Sequence, residues 1–372
     1  MGNIIDQDPS LALEGEPDSA VFYWVYALDA FETGENLPNR TRLYEAPEDW
    51  SMSMFWGRTY VCLAEETADR LAKATPSAPY VSPLAEFTAE EPSDWPRESP
   101  FHIIAARRPT TTRRMSLQNA TPHELMTLAM DQFSRGIFHM PHPQKRSAVQ
   151  KQKQQEQEKL KTEPLLAATA SSSSSSAESA NAGGPVSGAP SCHPETFSRP
   201  RELFNIAYDV LLLSDKFVAP AERLQWSAWA DSVFDQMRNE ADVDAWRALV
   251  DSARGRCWLI FGSAGAVMLE PALERGELAI LDSEEAEDAR DGLEKAIRFF
   301  ERALSASAAG EEAGDLEPRE IRKMLVESLI TLANLTSDQV RREELYARAQ
   351  VEGGADCDLE MYDADGDQVM EE

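Results

Sequence analysis

Residues 321–335 of this chain read IRKMLVESLITLANL, and their apolar positions follow a helical repeat. The recurring residues are Ile321, Met324, Leu325, Leu329, Leu332 and Leu335. This spacing places them on one face of an α-helix, whereas the residues of a β-strand would alternate between two faces. Pro318 precedes the run, and proline is favoured in the first helical turn because the N–H that it lacks would have no partner there. The stretch therefore predicts a helix that starts near Pro318 and buries one face.

The same spacing recurs elsewhere in the chain. Thr121, Pro122 and Glu124 match a capping box, in which the threonine and glutamate side chains each bind the other residue's backbone N–H. The helix predicted there carries Leu125, Leu128, Ala129 and Phe133 on one face. A further helix is predicted from Trp226, Trp229, Ala230, Val233 and Met237. Because these segments stop at glycine or proline and show no strand-like alternation, we predict an all-α chain.

Four short matches resemble the helix pairs of tetratricopeptide repeats, where small residues let two helices approach closely. The first-helix matches are Trp56-Gly57-x2-Tyr60 and Trp258-x2-Phe261-Gly262, and the second-helix matches are Ala296-x3-Phe300-x2-Ala303 and Arg342-x3-Tyr346-x2-Ala349. Each match alone also fits any buried helix, and a strict period of about 34 residues is missing. We therefore predict degenerate tetratricopeptide-like antiparallel helix pairs, stacked in a superhelical array with a groove for a partner peptide or domain.

Tyr346 holds a particular place in this prediction. We expect its side chain to be the large buried residue of the last helix, inserted between small residues. Leu329 and Leu332 would face it from the preceding helix.

Composition divides the chain into four regions. Helical repeats are predicted for residues 1–143, which include a Pro/Ser-rich loop at 75–100, and for residues 199–352. Residues 144–198 contain a Gln/Lys run and six consecutive serines, so we expect a disordered linker that has too little apolar surface to fold. Residues 353–372 are predicted to form an acidic disordered tail.

The chain is strongly acidic, with 65 Asp and Glu against 36 Lys and Arg and a formal net charge of −29. Such a charge repels phosphate backbones and anionic lipid surfaces, so we expect a basic protein partner and neither nucleic acid nor membrane. The sequence shows neither a basic leader followed by an apolar run nor an uninterrupted apolar stretch of roughly 20 residues. The cysteines, Cys62, Cys192, Cys257 and Cys357, lie far apart and are predicted to be free thiols.

Candidates for catalysis or metal binding are weak. His139 and His142 lie three residues apart across a proline, without a third ligand nearby. The tail places Asp363, Asp365, Gly366 and Glu372 at calcium-loop offsets, but Met361 stands at the first ligand position. Gly262-Ser263-Ala264-Gly265 precedes no Lys-Ser/Thr pair, which favours close helix packing over phosphate binding. We predict a protein that is not an enzyme and that binds no metal and no cofactor.

Two basic elements interrupt the acidic background. Arg113-Arg114-Met115-Ser116 has the charge pattern of a basophilic kinase site, so Ser116 is a candidate for phosphorylation. The alternative is a structural loop whose arginines pair with the acidic surface. Lys145-Arg146, followed by scattered lysines up to Lys161, is a diluted candidate for a nuclear-import signal.

Residues 327–336 read ESLITLANLT and residues 341–350 read RREELYARAQ. Together they resemble the carboxyl-terminal helix pair of the fungal enhancer-of-translation-termination family, with which residues 22–63, 99–142 and 289–304 are also compatible. The resemblance implies a nuclear, all-helical repeat protein without catalytic activity, needed for translation termination and linked to oxygen-dependent gene regulation. It also implies binding to a dioxygenase of the prolyl-hydroxylase type, or to a basic ribosomal protein.

These observations favour a regulatory adaptor that acts by protein binding in translation termination and hypoxic gene expression. The alternative is a tetratricopeptide-type co-chaperone, or an import adaptor for a basic cargo. A co-chaperone that clamps acidic peptides would need free basic residues in its groove, and the candidates are Arg298, Arg302, Arg322 and Lys323.

Overall fold

The computed structural model describes residues 2–35 (without 13 and 15), 49–73, isolated positions between 96 and 117, 119–142, 197–240, 243–308 and 317–354. The main helices in these ranges are α1 (Gly2–Gln7), α2 (Ala20–Glu35), α3 (Trp50–Lys73), α4 (Pro122–His139), α5 (Arg199–Ser214), α6 (Pro220–Gln236), α7 (Arg247–Glu274), α8 (Glu284–Ala308), α9 (Pro318–Asn334) and α10 (Gln339–Gly353). Short 3-10 helices lie at Pro9–Leu11, Met237–Asn239, Val243–Trp246 and Leu278–Asp282. The described residues form no strand, which confirms the all-α prediction.

Local sequence sets the start of several helices. The Thr121 hydroxyl accepts a hydrogen bond from the Glu124 backbone N–H at 3.2 Å, and the Glu124 carboxylate accepts one from the Thr121 N–H at 2.8 Å. The predicted capping box is therefore present. Helix α9 begins at Pro318, also as predicted. Asp338 caps α10 by accepting a hydrogen bond from the Val340 N–H at 2.9 Å.

Glycines bring α3 and α4 into close antiparallel contact. A Cβ atom added at Gly57 would lie 2.5 Å from the Phe133 ring, and one added at Gly136 would lie 2.5 Å from the Met54 methyl group. Trp56 and Tyr60 are buried in the same region. The Trp56 ring stacks on Phe31 of α2, with the ring centroids 5.7 Å apart.

Small residues also determine how α7 packs against α8. Gly255 lies against the Phe300 ring, Gly262 against Leu293 and Gly265 against Ala289. In these three contacts the residue numbers increase along α7 and decrease along α8, so the two helices run antiparallel. A Cβ atom at Gly262 would lie 2.5 Å from Leu293 Cγ, a distance that real Cβ contacts do not reach. The prediction of close helix packing at residues 262–265 is confirmed.

The last two helices complete a core shared by α7, α8, α9 and α10. The predicted stripe on α9 is buried, apart from Met324, which is half-buried. Two arginines satisfy backbone carbonyls at the helix ends, where carbonyls lack helical partners. Arg290 donates to the Leu281 and Leu335 oxygens at 2.6 and 3.2 Å, and Arg342 donates twice to the Thr336 oxygen.

Tyr346 does not occupy the place predicted for it. Leu345 is the large buried residue of α10, together with Ala349, whereas Tyr346 is half-buried at the edge of the core. The Tyr346 hydroxyl donates a hydrogen bond to Asn334 Oδ1. A phenolic O–H needs a polar partner when it leaves water, and Asn334 at the end of α9 supplies one at the edge rather than in the core.

By internal contacts, residues 1–140 and 200–372 group in one compact unit, and residues 141–199 form a second unit. Within the first unit, the amino-terminal and carboxyl-terminal helices meet directly. Arg58 of α3 pairs with Glu202 of α5 at 3.3 Å. Lys216, just after α5, pairs with Glu65 and Asp69 of α3 at 2.8 and 3.1 Å. In the second unit, the structure describes residues 141–142 and 197–199.

One segment in the described ranges, Asp244–Glu274, is long and apolar enough to cross a membrane, by length and composition alone. A core helix of a soluble protein has the same properties. Its glycines Gly255, Gly262 and Gly265 lie against side chains of α8.

Candidate functional site

A groove of about 630 Å³ with apolar walls and charged residues in its lining lies between α5, α7 and α9 and is called here the α5/α7/α9 groove. Its lining residues are Phe204, Tyr208, Leu249, Ser252, Ala253, Arg256, Glu317, Glu320, Ile321 and Met324. The lining thus combines residues of three helices that are far apart in the chain.

Aromatic and flexible apolar side chains form the walls of the groove. The Phe204 and Tyr208 rings stack with centroids 5.5 Å apart, and Phe204 also contacts Trp246 and Phe234 at 5.4 and 5.6 Å. Phe204 is thus anchored in the fold, whereas 36% of Tyr208 remains exposed. Met324 is half-buried, and its unbranched side chain adapts readily to a bound apolar surface.

A balanced cluster of charges lies behind the groove. Asp215 pairs with Arg223 at 3.3 Å and with Arg256 at 3.0 Å. Burial, aided by Asp215, raises the pKa of Glu327, while Arg256 and Arg223 lower it. The negative charges of Asp215 and Glu327 are thus balanced by the positive charges of Arg223 and Arg256. The carboxylate that pairs with Arg256 is that of Asp215.

Two carboxylates remain at the mouth of the groove, Glu317 and Glu320, and both are exposed. Glu320 pairs with Lys323 at 2.6 Å, but both side chains are about half exposed, so this pair contributes little and is easily exchanged. The charged lining residues are thus two acids and one base, and the base, Arg256, is already paired with Asp215, which leaves a small excess of negative charge at the mouth. An apolar groove with an acidic mouth suits an apolar surface flanked by cations.

A second cleft, of about 600 Å³, lies between α7 and α8 and contains three of the chain's arginines. Its polar lining residues are Arg247, Asp251, Arg298, Glu301, Arg302 and Ser305. Arg302 is held by Asp251 at 2.9 Å and lies over the Phe299 ring. Because carboxylates share the cleft with the arginines, it is a poor clamp for an acidic peptide.

A smaller cavity, of about 360 Å³, lies between α6 and α7 beside Trp258 and Phe261. Arg254 lies at its wall with only 7% of its surface exposed. Its guanidinium group donates to both Asp231 oxygens at 2.7 and 3.1 Å and to Asp235 at 2.7 Å. This network, in which Arg254 is buried, Asp231 is largely buried and Asp235 is half exposed, links α6 to α7.

The surroundings of the two cysteines in the described ranges, Cys62 and Cys257, disfavour the thiolate form. Burial raises the pKa of Cys62 to about 12, and the carboxylates of Glu65, Asp209 and Asp6 add to the shift. Cys257 is buried, which raises its pKa well above the ordinary value. A protonated thiol is a poor nucleophile and a poor metal ligand.

The structure brings most of the predicted repeat positions into the core. Buried residues are Trp56, Gly57, Tyr60, Gly262, Ala296, Phe300, Ala303 and Ala349. Trp258 and Phe261 are half-buried beside the α6/α7 cavity, where Lys295 lies 4.1 Å from the Trp258 ring centroid. Sequence reasoning missed the lining of the α5/α7/α9 groove, because its residues come from three helices far apart in the chain.

Several sequence predictions fall outside the described residues. They include the candidate phosphorylation site Ser116, the Gln/Lys- and Ser-rich linker, the calcium-like tail and the thiols of Cys192 and Cys357. Within the described ranges, no group of three or more His, Cys, Asp or Glu side chains is arranged to hold a metal ion.

Comparisons of this sequence with protein-family models and with curated proteins, and of the fold with solved structures, find no match.

Proposed function

We propose that this chain is a non-enzymatic adaptor that acts by binding another protein. The observation that carries the proposal is the α5/α7/α9 groove, an apolar and aromatic opening whose walls are fixed by the core behind it. Grooves of this kind suit apolar anchor residues of a partner, since burial of those residues drives association.

The repeat character of the carboxyl-terminal helices supports this proposal. Helices α7 and α8 are antiparallel, with Gly262, Gly265 and Ala289 at their contact, and α9 and α10 share the core with them. We propose that the pairs are degenerate tetratricopeptide-like units. In such arrays each pair contacts its neighbours, and a groove along the first helices presents a continuous surface to a partner.

The process in which the adaptor acts is proposed from the resemblance of residues 327–336 and 341–350. We propose that it supports translation termination and oxygen-dependent gene expression in the nucleus, through a dioxygenase of the prolyl-hydroxylase type or a basic ribosomal protein. The net charge of −29 suits a basic partner.

The acidic-peptide co-chaperone is less well supported. Of its candidate cations, Arg302 is paired with Asp251, Lys323 with Glu320, and Arg298 with Glu294. An acidic ligand would have to displace the half-buried Asp251 from Arg302, whereas the exposed pairs of Lys323 and Arg298 exchange more easily.

Stop-codon readthrough in the source cell tests the proposed function. The gene is disrupted, and a dual reporter measures the fraction of ribosomes that pass a stop codon. We expect readthrough to rise and to return to the parental level when the full chain is supplied again. Readthrough that stays at the parental level after disruption would refute a role in termination.

A further inference from the structure

Resting on the proposed function, we infer that the α5/α7/α9 groove takes a basic amphipathic helix of a protein partner, with its apolar residues in the groove and its Lys and Arg at the mouth. The inference combines three properties of the groove: its apolar walls, its acidic mouth and the exposed aromatic ring of Tyr208.

The walls favour a helix over an extended peptide. The lining residues lie on helices, whose backbone N–H and C=O groups are engaged within the helices themselves. The groove therefore offers no sheet edge to which an extended strand could add by backbone pairing. Side-chain recognition remains, and an amphipathic helix presents anchors at i, i+3 or i+4 and i+7 to such a groove.

The charges favour a basic helix. Glu317 and Glu320 at the mouth attract Lys and Arg that flank the apolar anchors, while Arg256 is engaged by Asp215 at 3.0 Å. The Tyr208 ring adds a cation–π surface for a guanidinium or ammonium group. An acidic helix would meet two carboxylates of the same sign and would have to displace Asp215 to pair with Arg256.

The same charges disfavour two other occupants. A second copy of this chain is acidic overall, at −29, and would repel the mouth of the groove. The carboxyl-terminal residues 353–372 are also acidic. A basic partner protein is thus the occupant that fits.

Peptide binding to the purified full chain tests the inference directly. The probe is a fluorescein-labelled peptide of about 18 residues, or five helical turns, with Leu on one face and Lys elsewhere. Control peptides are a scrambled sequence of the same composition and a version with Glu in place of Lys. Fluorescence anisotropy should show binding of the Leu/Lys helix, and weaker binding of both controls.

Two groove variants and two matched controls locate the site. The double variant Tyr208→Ala, Met324→Ala should weaken binding at least about tenfold, as expected for anchor positions. The double variant Glu317→Gln, Glu320→Gln should weaken it about threefold at low salt, with the difference lost near 1 M salt.

The controls make equivalent changes away from the groove lining. Val340→Ala removes an exposed apolar side chain from α10, and Glu274→Gln removes an exposed charge at the end of α7. Both should bind the Leu/Lys peptide like the parent chain. Thermal melting followed by circular dichroism shows that each variant is folded at the assay temperature.

Four results would overturn the inference. The first two are failure of the Leu/Lys peptide to bind the parent chain, and groove variants that bind this peptide as tightly as the parent chain does. The other two are binding of the Glu peptide that equals or exceeds that of the Leu/Lys peptide, and a tenfold rise in affinity for the Leu/Lys peptide when residues 144–161 are deleted. The last result would mean that the basic segment of this chain already occupies the groove. None of these results decides the readthrough experiment, which uses the unaltered chain and tests the proposed function separately.

Discussion

Adding a single methyl group at Gly262 tests the α7/α8 packing that supports the groove. The new Cβ atom would lie 2.5 Å from Leu293 Cγ, 2.8 Å from its Cδ2 and 3.0 Å from the Ala289 carbonyl oxygen. Leu293 is fully buried and the oxygen belongs to the backbone, so neither moves away easily. Overpacking of this kind costs about 1–3 kcal/mol.

Part of this cost is offset, because alanine is favoured over glycine within a helix by about 1 kcal/mol. Gly262→Ala should therefore lower the free energy of unfolding by up to about 2 kcal/mol. Gly34 in α2 provides the control, since its nearest neighbour to an added Cβ is Met52 Sδ at 4.0 Å. Gly34→Ala should be neutral or slightly stabilising.

A double-mutant cycle with Leu293 assigns the cost to this contact. Leu293→Ala alone should cost about 2–5 kcal/mol, because it opens a cavity in the core. The double variant has room for the methyl group at position 262, so its cost should be smaller than the sum by about 1–2 kcal/mol. Urea unfolding followed by circular dichroism measures each free energy. If the two costs add within about 0.5 kcal/mol, or if Gly34→Ala destabilises as much as Gly262→Ala, the packing described here is wrong.

Three other predictions concern the core and the thiols. Arg254→Lys should lower the free energy of unfolding in urea by about 3 kcal/mol, since one ammonium group cannot replace a guanidinium group that binds both Asp231 oxygens. A decrease below about 1 kcal/mol would show that the network does not stabilise the fold. Cys62, half-buried and with its pKa raised to about 12, should be alkylated at pH 8 roughly a thousandfold more slowly in the folded than in the unfolded chain. Peptide mass mapping that finds rates within a few-fold of each other would contradict the raised pKa. Leu345→Ala should cost about 2–5 kcal/mol and Tyr346→Ala clearly less, so the reverse order in thermal or urea unfolding would restore the sequence-based assignment.

Features encoded within a few residues were predictable from the sequence. The capping box at Thr121 and the helix start at Pro318 depend on neighbours in the chain, and the structure has both. The stripe from Ile321 to Leu335 is equally local, because helical geometry alone puts those residues on one face. Close packing at Gly262 was predictable because a glycine in an apolar helix needs a packing reason.

Features that join distant residues were not predictable. Tyr346 and Leu345 are adjacent and both apolar, and the choice between them depends on Asn334 accepting the tyrosine hydroxyl. The ion pair between Arg58 and Glu202 spans 144 positions in the sequence, so no local pattern indicates it.

The candidate site belongs to this second group. The sequence indicated that stacked helix pairs would leave a groove, but not which side chains would line it. Tyr208, which is exposed, and Leu249 and Met324, which are half-buried, come from three helices, and none of them alone stands out in the sequence. Their function as a surface appears only when α5, α7 and α9 are placed together.

Complementation of the disrupted gene by groove variants tests most directly whether this chain acts through the α5/α7/α9 groove. Stop-codon readthrough is measured in disrupted cells that express, at equal levels, the parent chain, the double variant Tyr208→Ala, Met324→Ala, or the control Val340→Ala. We predict that the parent chain and the control restore parental readthrough, whereas the groove variant leaves it raised. Full restoration by the groove variant would contradict the account.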